Sequence, residues 1–135
     1  MTRLGLVLTV AVTTACAGGW LANPAHAGPP PPCSFTLSPP HVVQIAGVDI
    51  VTATVAPDGC GPPATPARSV ACLQMQAGDR VTRCYPSDSS GSARIYFEPY
   101  VAGATYIATG RGCGAWIGQL AAPDCLQLGP YSATL

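Results

Sequence analysis

The chain contains no lysine. Its six basic residues are all arginine, set against six acids, so the formal charge is zero, and charged residues are only 9% of the 135. A basic nucleic-acid footprint is therefore excluded. Low hydrophobicity with high net charge, the mark of a disordered chain, is also missing: 48% of residues are hydrophobic. No apolar stripe of 3.6-residue period runs for a useful length, which argues against helices. Histidine is scarce, with only His26 and His41. No Cys-x-x-Cys pair and no Gly-x-Ser-x-Gly elbow occurs. The length allows one domain. What the chain does hold is 15 Gly, 15 Pro and 7 Cys.

The first 27 residues have the parts of an export signal. Arg3 gives a positive start, Leu4 to Val12 is apolar and uncharged, and Ala25-His26-Ala27 fits a small-x-small cleavage site. The apolar core is shorter than the about 20 residues of a membrane span. Two alternatives stand beside cleavage after Ala27: an uncleaved anchor extending to Ala22, and a lipid-modified Cys16 at the earlier Ala15-Cys16-Ala17 site. Cleavage leaves residues 28–135, with five arginines, six acids and no membrane span. Residues 28–32, Gly-Pro-Pro-Pro-Pro, read as a stiff leader that adds nothing to a core. Residues 33–135 form the domain.

That domain holds Cys33, Cys60, Cys72, Cys84, Cys113 and Cys125. An even count in an exported chain points to disulfides. Zinc is disfavoured, because no two of these cysteines are closer than 12 positions and His41 is the domain's only histidine. No metal or cofactor is expected.

Short β-branched runs broken by Pro, Gly, Asp and Ser fill the rest. Cys33 to Leu37 is one strand, kinked by Ser38-Pro39-Pro40, and Val42 to Ala46 continues along an edge where prolines are tolerated. In the run from Val51 to Ala56, Val51, Ala53 and Val55 face one way and Thr52 and Thr54 the other. Pro57 to Pro63 reads as loop and Pro86 to Ser92 as a turn cluster. Ile95 and Phe97 point inward from the strand Arg94 to Glu98, and Thr105 to Thr109 and Tyr131 to Leu135 close the set. About seven short strands predict an all-β, disulfide-stapled, immunoglobulin-like antiparallel sandwich. A small closed barrel is the alternative.

A hairpin centred on Gly78 fixes one register. Met75 then faces Val81 on the core side, Gln74 faces Thr82, and Cys72 faces Cys84. Opposed Cβ atoms lie about 4.5–5.5 Å apart, within reach of a bridge once the strands twist. The bridge shares the outer side with Gln74, Gln76, Arg80 and Thr82. Cys113–Cys125 spans the last inter-strand loop, and Cys33–Cys60 follows partly by elimination. The first strand's start, the second loop and the late loop lie at one end of such a sandwich. Cys33–Cys125 with Cys60–Cys113 therefore remains an open alternative.

The segment Ser69-Val-Ala-Cys, Gly78, Cys84-Tyr-Pro-Ser-Asp-Ser-Ser-Gly-Ser-Ala-Arg-Ile-Tyr-Phe resembles the enediyne-antibiotic apoproteins of the neocarzinostatin type. Those are small secreted actinobacterial sandwiches with a Cys-closed hairpin followed by a Pro/Ser/Asp turn and a Gly-Ser-Ala strand. Cys113 and Cys125 match that family's late Cys pair in order. Cys33, Cys60, a longer Cys113–Cys125 loop and the proline leader are additions to the pattern. The resemblance implies a carrier of a small apolar ligand, in a cleft against Gln74, Gln76 and Thr82. The lysine-free, Ala/Gly/Pro-rich composition also accords with a high-GC actinobacterial gene.

Catalytic chemistry finds little support. His41 follows Pro39-Pro40 on an exposed edge, as a surface histidine does. Asp58, Asp79, Asp88 and Asp124 sit beside Gly, Pro or Ser as turn residues do, and Asp49 and Glu98 flank strands. An even cysteine count leaves no thiolate nucleophile. The stretch from Gly112 to Cys125 carries Trp116, Ile117 and Leu120, either as anchors of a contact surface or as a cap on the sandwich end. The expectation is a monomeric, secreted, non-enzymatic binding module. Its partner is an unknown protein or, alternatively, a small apolar ligand; a secreted hydrolase is the weaker alternative.

Overall fold

The computed structural model describes residues 31–78, 80–87, 91–118 and 123–135. The segment expected to be an export signal (with Cys16), the start of the leader, Asp79, Asp88 and Leu120 lie outside these residues. Eight strands follow one another: β1 Cys33–Leu37, β2 His41–Ile45, β3 Val48–Cys60, β4 Ala64–Met75, β5 Thr82–Ser87, β6 Ala93–Phe97, β7 Thr105–Trp116 and β8 Asp124–Thr134. They build two antiparallel sheets that pack face to face. In the narrower sheet β3 pairs with β6 on one side and with both β1 and β2 on the other. β1 and β2 lie end to end along that edge, separated by the Ser38–Pro40 kink. Counted as one bent edge strand, they leave the seven strands of an immunoglobulin-like sandwich. The wider sheet runs β5-β4-β7-β8.

The core follows the alternation of the strands. Val51, Ala53 and Val55 are fully buried, with Phe35, Leu37, Ile95 and Phe97 beside them from the same sheet. Ala71, Leu73, Tyr106 and Ala108 meet them from the other. Thr52, on the opposite face of β3, is also buried, and its Oγ1 donates to Ile95 O at 2.8 Å.

Tyr106 ties the strand core to the preceding corner. It is fully buried at the start of β7, edge-on to Phe97 at 5.8 Å between ring centroids. Its hydroxyl accepts the backbone N–H of Val101, five residues upstream, at 2.9 Å. This is the tyrosine corner of immunoglobulin-type domains. Tyr106→Phe keeps the ring and removes one hydrogen bond. It should lower stability by about 1 kcal/mol in urea denaturation, with the native fold intact.

The bridges are Cys33–Cys60, Cys72–Cys84 and Cys113–Cys125. Each joins directly paired positions on neighbouring strands of one sheet. None crosses between the sheets, which pack through their side chains, with Arg83 of β5 also reaching Phe97 and Glu98 O at the end of β6. Three bridges in one small domain fit an oxidising setting.

Four expectations are corrected. Residues 57–60 are strand, because β3 runs on to Cys60: Phe35, Ser34 and Cys33 pair with Pro57, Gly59 and Cys60 through a bulge. The leader does reach the core, since Pro32 is fully buried and its carbonyl accepts Gly61 N–H at 3.0 Å. The span from Gly112 to Trp116 is strand, not loop. Val81 is on the expected side of the hairpin but is 51% exposed, because it lies beyond the last strand pair, Gln74–Thr82, at the rim of a hollow shared with Phe97.

Candidate functional site

β7 sets the geometry. Its even-numbered residues from Tyr106 to Gly114 are all buried and face the opposite sheet. Its odd-numbered residues, among them Thr109, Arg111 and Cys113, therefore point out of the sandwich. The register carries this division to the neighbours. Val70 pairs with Arg111, Cys72 with Thr109 and Arg68 with Cys113 on one side of β7. Gln127 and Cys125 lie beside Arg111 and Cys113 on the other. The Cys72–Cys84 and Cys113–Cys125 bridges thus share the outer face of the wide sheet.

This face is hollowed. A depression of about 320 Å³ lies among Arg68, Val70, Arg111, Pro123 and the Cys113–Cys125 bridge. A second, of about 280 Å³, adjoins it across Val70 and Arg111 and reaches Cys72, Thr109 and Gln127. Both are open to solvent along one side. The lining is mostly apolar surface of Val70, Pro123 and sulfur, with two guanidinium groups as its charges. No carboxylate is among the described lining residues. Such a surface can hold a ligand by contact and orient it by a few polar groups. Backbones stapled on both flanks keep its shape before binding, which lowers the ordering cost.

The sequence-derived candidates fall in three places. Gln74 and Thr82 face each other on this outer side, beyond Cys72–Cys84. Gln74 is committed locally, its Nε2 donating to Arg80 O at 3.2 Å. Gln76 is exposed past the end of β4, and its N–H donates to Thr105 O at 2.9 Å. None of the three lines a depression. Trp116 is half-buried at the far end of β7, with its ring over Gly61, and so caps the sandwich. Ile117 bonds Pro63 O through its N–H at 2.8 Å and leaves its side chain 62% exposed. Of these two adjacent residues, Trp116 packs on the sandwich end and Ile117 is open to solvent. Leu120 is outside the described residues. His41 sits exposed at the start of β2, its Nδ1–H 3.0 Å from Pro39 O.

Of the residues that line the depressions, the sequence points to Cys72, Cys113 and Cys125 but not to Arg68, Val70, Thr109, Arg111 or Gln127. Their signal was the alternation from Tyr106 onward. It was masked by Gly110, Gly112 and Gly114, which read as loop formers but occupy core-facing strand positions. No protein-family model, no curated protein and no solved structure matches the chain.

Proposed function

We propose that the protein is an exported, non-enzymatic binding module whose binding surface is the outer face of the β5-β4-β7-β8 sheet. One observation supports this most directly: two adjoining depressions lie on a single sheet face that carries two disulfides. The export signal read from residues 1–27 and the three bridges, which suit an oxidising compartment, support a role outside the cytoplasm. Ile117, exposed at the hairpin tip beside this face, extends the contact surface.

A second reading takes the same face as the seat of a small apolar ligand, as the resemblance to the enediyne apoproteins implies. The apolar lining around Val70 and Pro123 favours it. The two readings differ in what travels with the protein. Native mass spectrometry of protein from its own culture medium tests both, because it reads processing, bridge count and any bound mass together. A mass adduct of a few hundred daltons supports the carrier; a co-purifying chain supports the protein-binding module.

The paired variant Val70→Asp, Thr109→Asp puts two carboxylates into the depressions on outward-facing side chains. It should fold as the wild type does and bind whatever is captured at least tenfold more weakly. Undiminished capture by this variant would overturn the assignment of the face.

A further inference from the structure

We infer that the protein carries a second binding site, on the other side of β5, for a carboxylate borne on a short apolar group. The site follows from the unequal width of the sheets. The wide sheet has four strands abreast and the narrow one three, and β6, the outermost strand of the narrow sheet, packs across both β4 and β5. Leu73 pairs with Arg83 and Ala71 with Tyr85, which puts Arg83 and Tyr85 on the core-facing side of the sheet. Yet Tyr85 is 58% exposed and Val81 51%. A core-facing row left this open means that β6 covers β5 only in part and leaves a space beside it.

At the Gly78 end this space is a hollow of about 190 Å³, the volume of about six liquid waters at ~30 Å³ each. Its apolar walls are Met75, Val81, Phe97 and Pro99. Its cations are Arg80 and Arg83, and Glu98 is the one acid among its described lining residues. Arg80, expected on the outer side from the hairpin register, lines this side instead, because it lies beyond the last strand pair, Gln74–Thr82. Arg83 is already positioned. Its guanidinium carbon stands 4.9 Å from the Phe97 ring centroid, and Nη1 donates to Glu98 O at 3.1 Å. A guanidinium has five N–H donors in a fixed fork, so this one contact leaves donors for a bidentate carboxylate. The aromatic face below it supports the planar group without neutralising it. An apolar tail would lie on Met75 and Val81 with its carboxylate at the Arg80–Arg83 rim. Recognition by charge and by shape then reside in one small space. The site is independent of the outer face, which lies on the far side of the same sheet.

The carboxylate could be that of a free short-chain acid or of a chain ending in an apolar residue. Heteronuclear NMR titration of the disulfide-intact protein separates these. The probes are 4-methylpentanoate, its amide, and a pentapeptide ending in leucine with a free or an amidated terminus. The acid should shift the Met75 methyl and Phe97 ring signals and bind at least tenfold more tightly than the amide. Arg83→Gln and Arg80→Gln should each weaken the acid several-fold. Val81→Asp, at an exposed position that leaves the fold intact, should abolish binding. The free-terminus peptide binding as well as the acid identifies a chain end as the source; the acid alone binding identifies a small molecule. Equal affinity for acid and amide, absent shifts at Met75 and Phe97, or binding undisturbed in Val81→Asp would each overturn the site.

Discussion

Gly112→Ala should be among the most damaging single-methyl additions available to this fold, costing about 3 kcal/mol in urea denaturation. Gly110, Gly112 and Gly114 form a row on the core face of β7. Each has a side chain of the opposite sheet where its own Cβ would be. A Cβ at Gly112 would fall within the Phe35 ring, and one at Gly110 would overlap a Val55 methyl. At Gly114 it would lie 2.6 Å from Cys33 Sγ and 2.8 Å from Cys33 Cβ. The row thus replaces side-chain thickness with close approach, and β1 lies almost directly on β7. Added volume in a packed core costs typically 1–3 kcal/mol, and the upper end applies where the neighbour cannot move aside. Phe35 is itself buried, so its ring has little room to yield. Reduced chain entropy in the unfolded state returns about 0.4–1 kcal/mol, too little to change the sign.

A double-mutant cycle makes the cause testable. Phe35→Ala alone should cost about 3–5 kcal/mol by opening a cavity. With the ring gone, Gly112→Ala should add almost nothing, giving a coupling of about 2 kcal/mol or more between the sites. Gly59→Ala is the control. Its Cβ would meet only Ser34 Oγ at 3.8 Å, so the change should stay within about 0.5 kcal/mol. Additive costs at positions 35 and 112 would show that the glycine row has another purpose.

The same row explains what the sequence could reveal and what it hid. The Gly78 hairpin was legible because a positive-φ glycine and two cysteines fix one register, and the structure pairs Cys72 with Cys84 and Gln74 with Thr82. The alternation in Val51 to Val55 and at Ile95 and Phe97 was equally plain, since apolar residues there have one buried side. Residues 57–60 and 110–114 were misleading for a shared reason. Pro, Asp and Gly disfavour strand locally, but pairing with β1 in one case and close packing under β1 in the other decide the outcome. Val81 failed in the opposite direction: alternation gave its side correctly, but cannot say whether a facing strand covers it. The depressions on the outer face depend on three strands distant in sequence. No local pattern marks such a surface.

Full reduction should unfold the domain, whereas loss of any one bridge should leave it folded but weakened. The three bridges span sequence separations of 27, 12 and 12, and their loops follow one another without overlap. Loop-closure entropies of separate loops act independently, so the chain-entropy model can be applied to each. It gives about 3.6 kcal/mol for Cys33–Cys60 and about 2.9 kcal/mol for each of the others. Together they come to about 9.4 kcal/mol, which lies within the 5–15 kcal/mol that a whole domain of ordinary stability possesses. None of the three bridges joins the two sheets, so a reduced chain has only a thin core of alanine, valine and a few larger side chains to close it. The order of single losses is also set. Cys33→Ser with Cys60→Ser should cost most, because it opens the longest loop and also puts a hydroxyl where Cys33 is buried against Gly114. Cys72→Ser with Cys84→Ser should cost least beyond its loop term, since Cys84 is exposed on the edge strand. Urea midpoints of the three paired variants read this order directly, with circular dichroism of the fully reduced chain as the limit. Tryptic peptides mapped without reduction check the pairing itself, because cleavage at Arg83 and Arg94 parts Cys72 from Cys84 unless the bridge holds them. A reduced chain that kept its β-sheet spectrum and a cooperative transition would show that the core, not the staples, carries the fold.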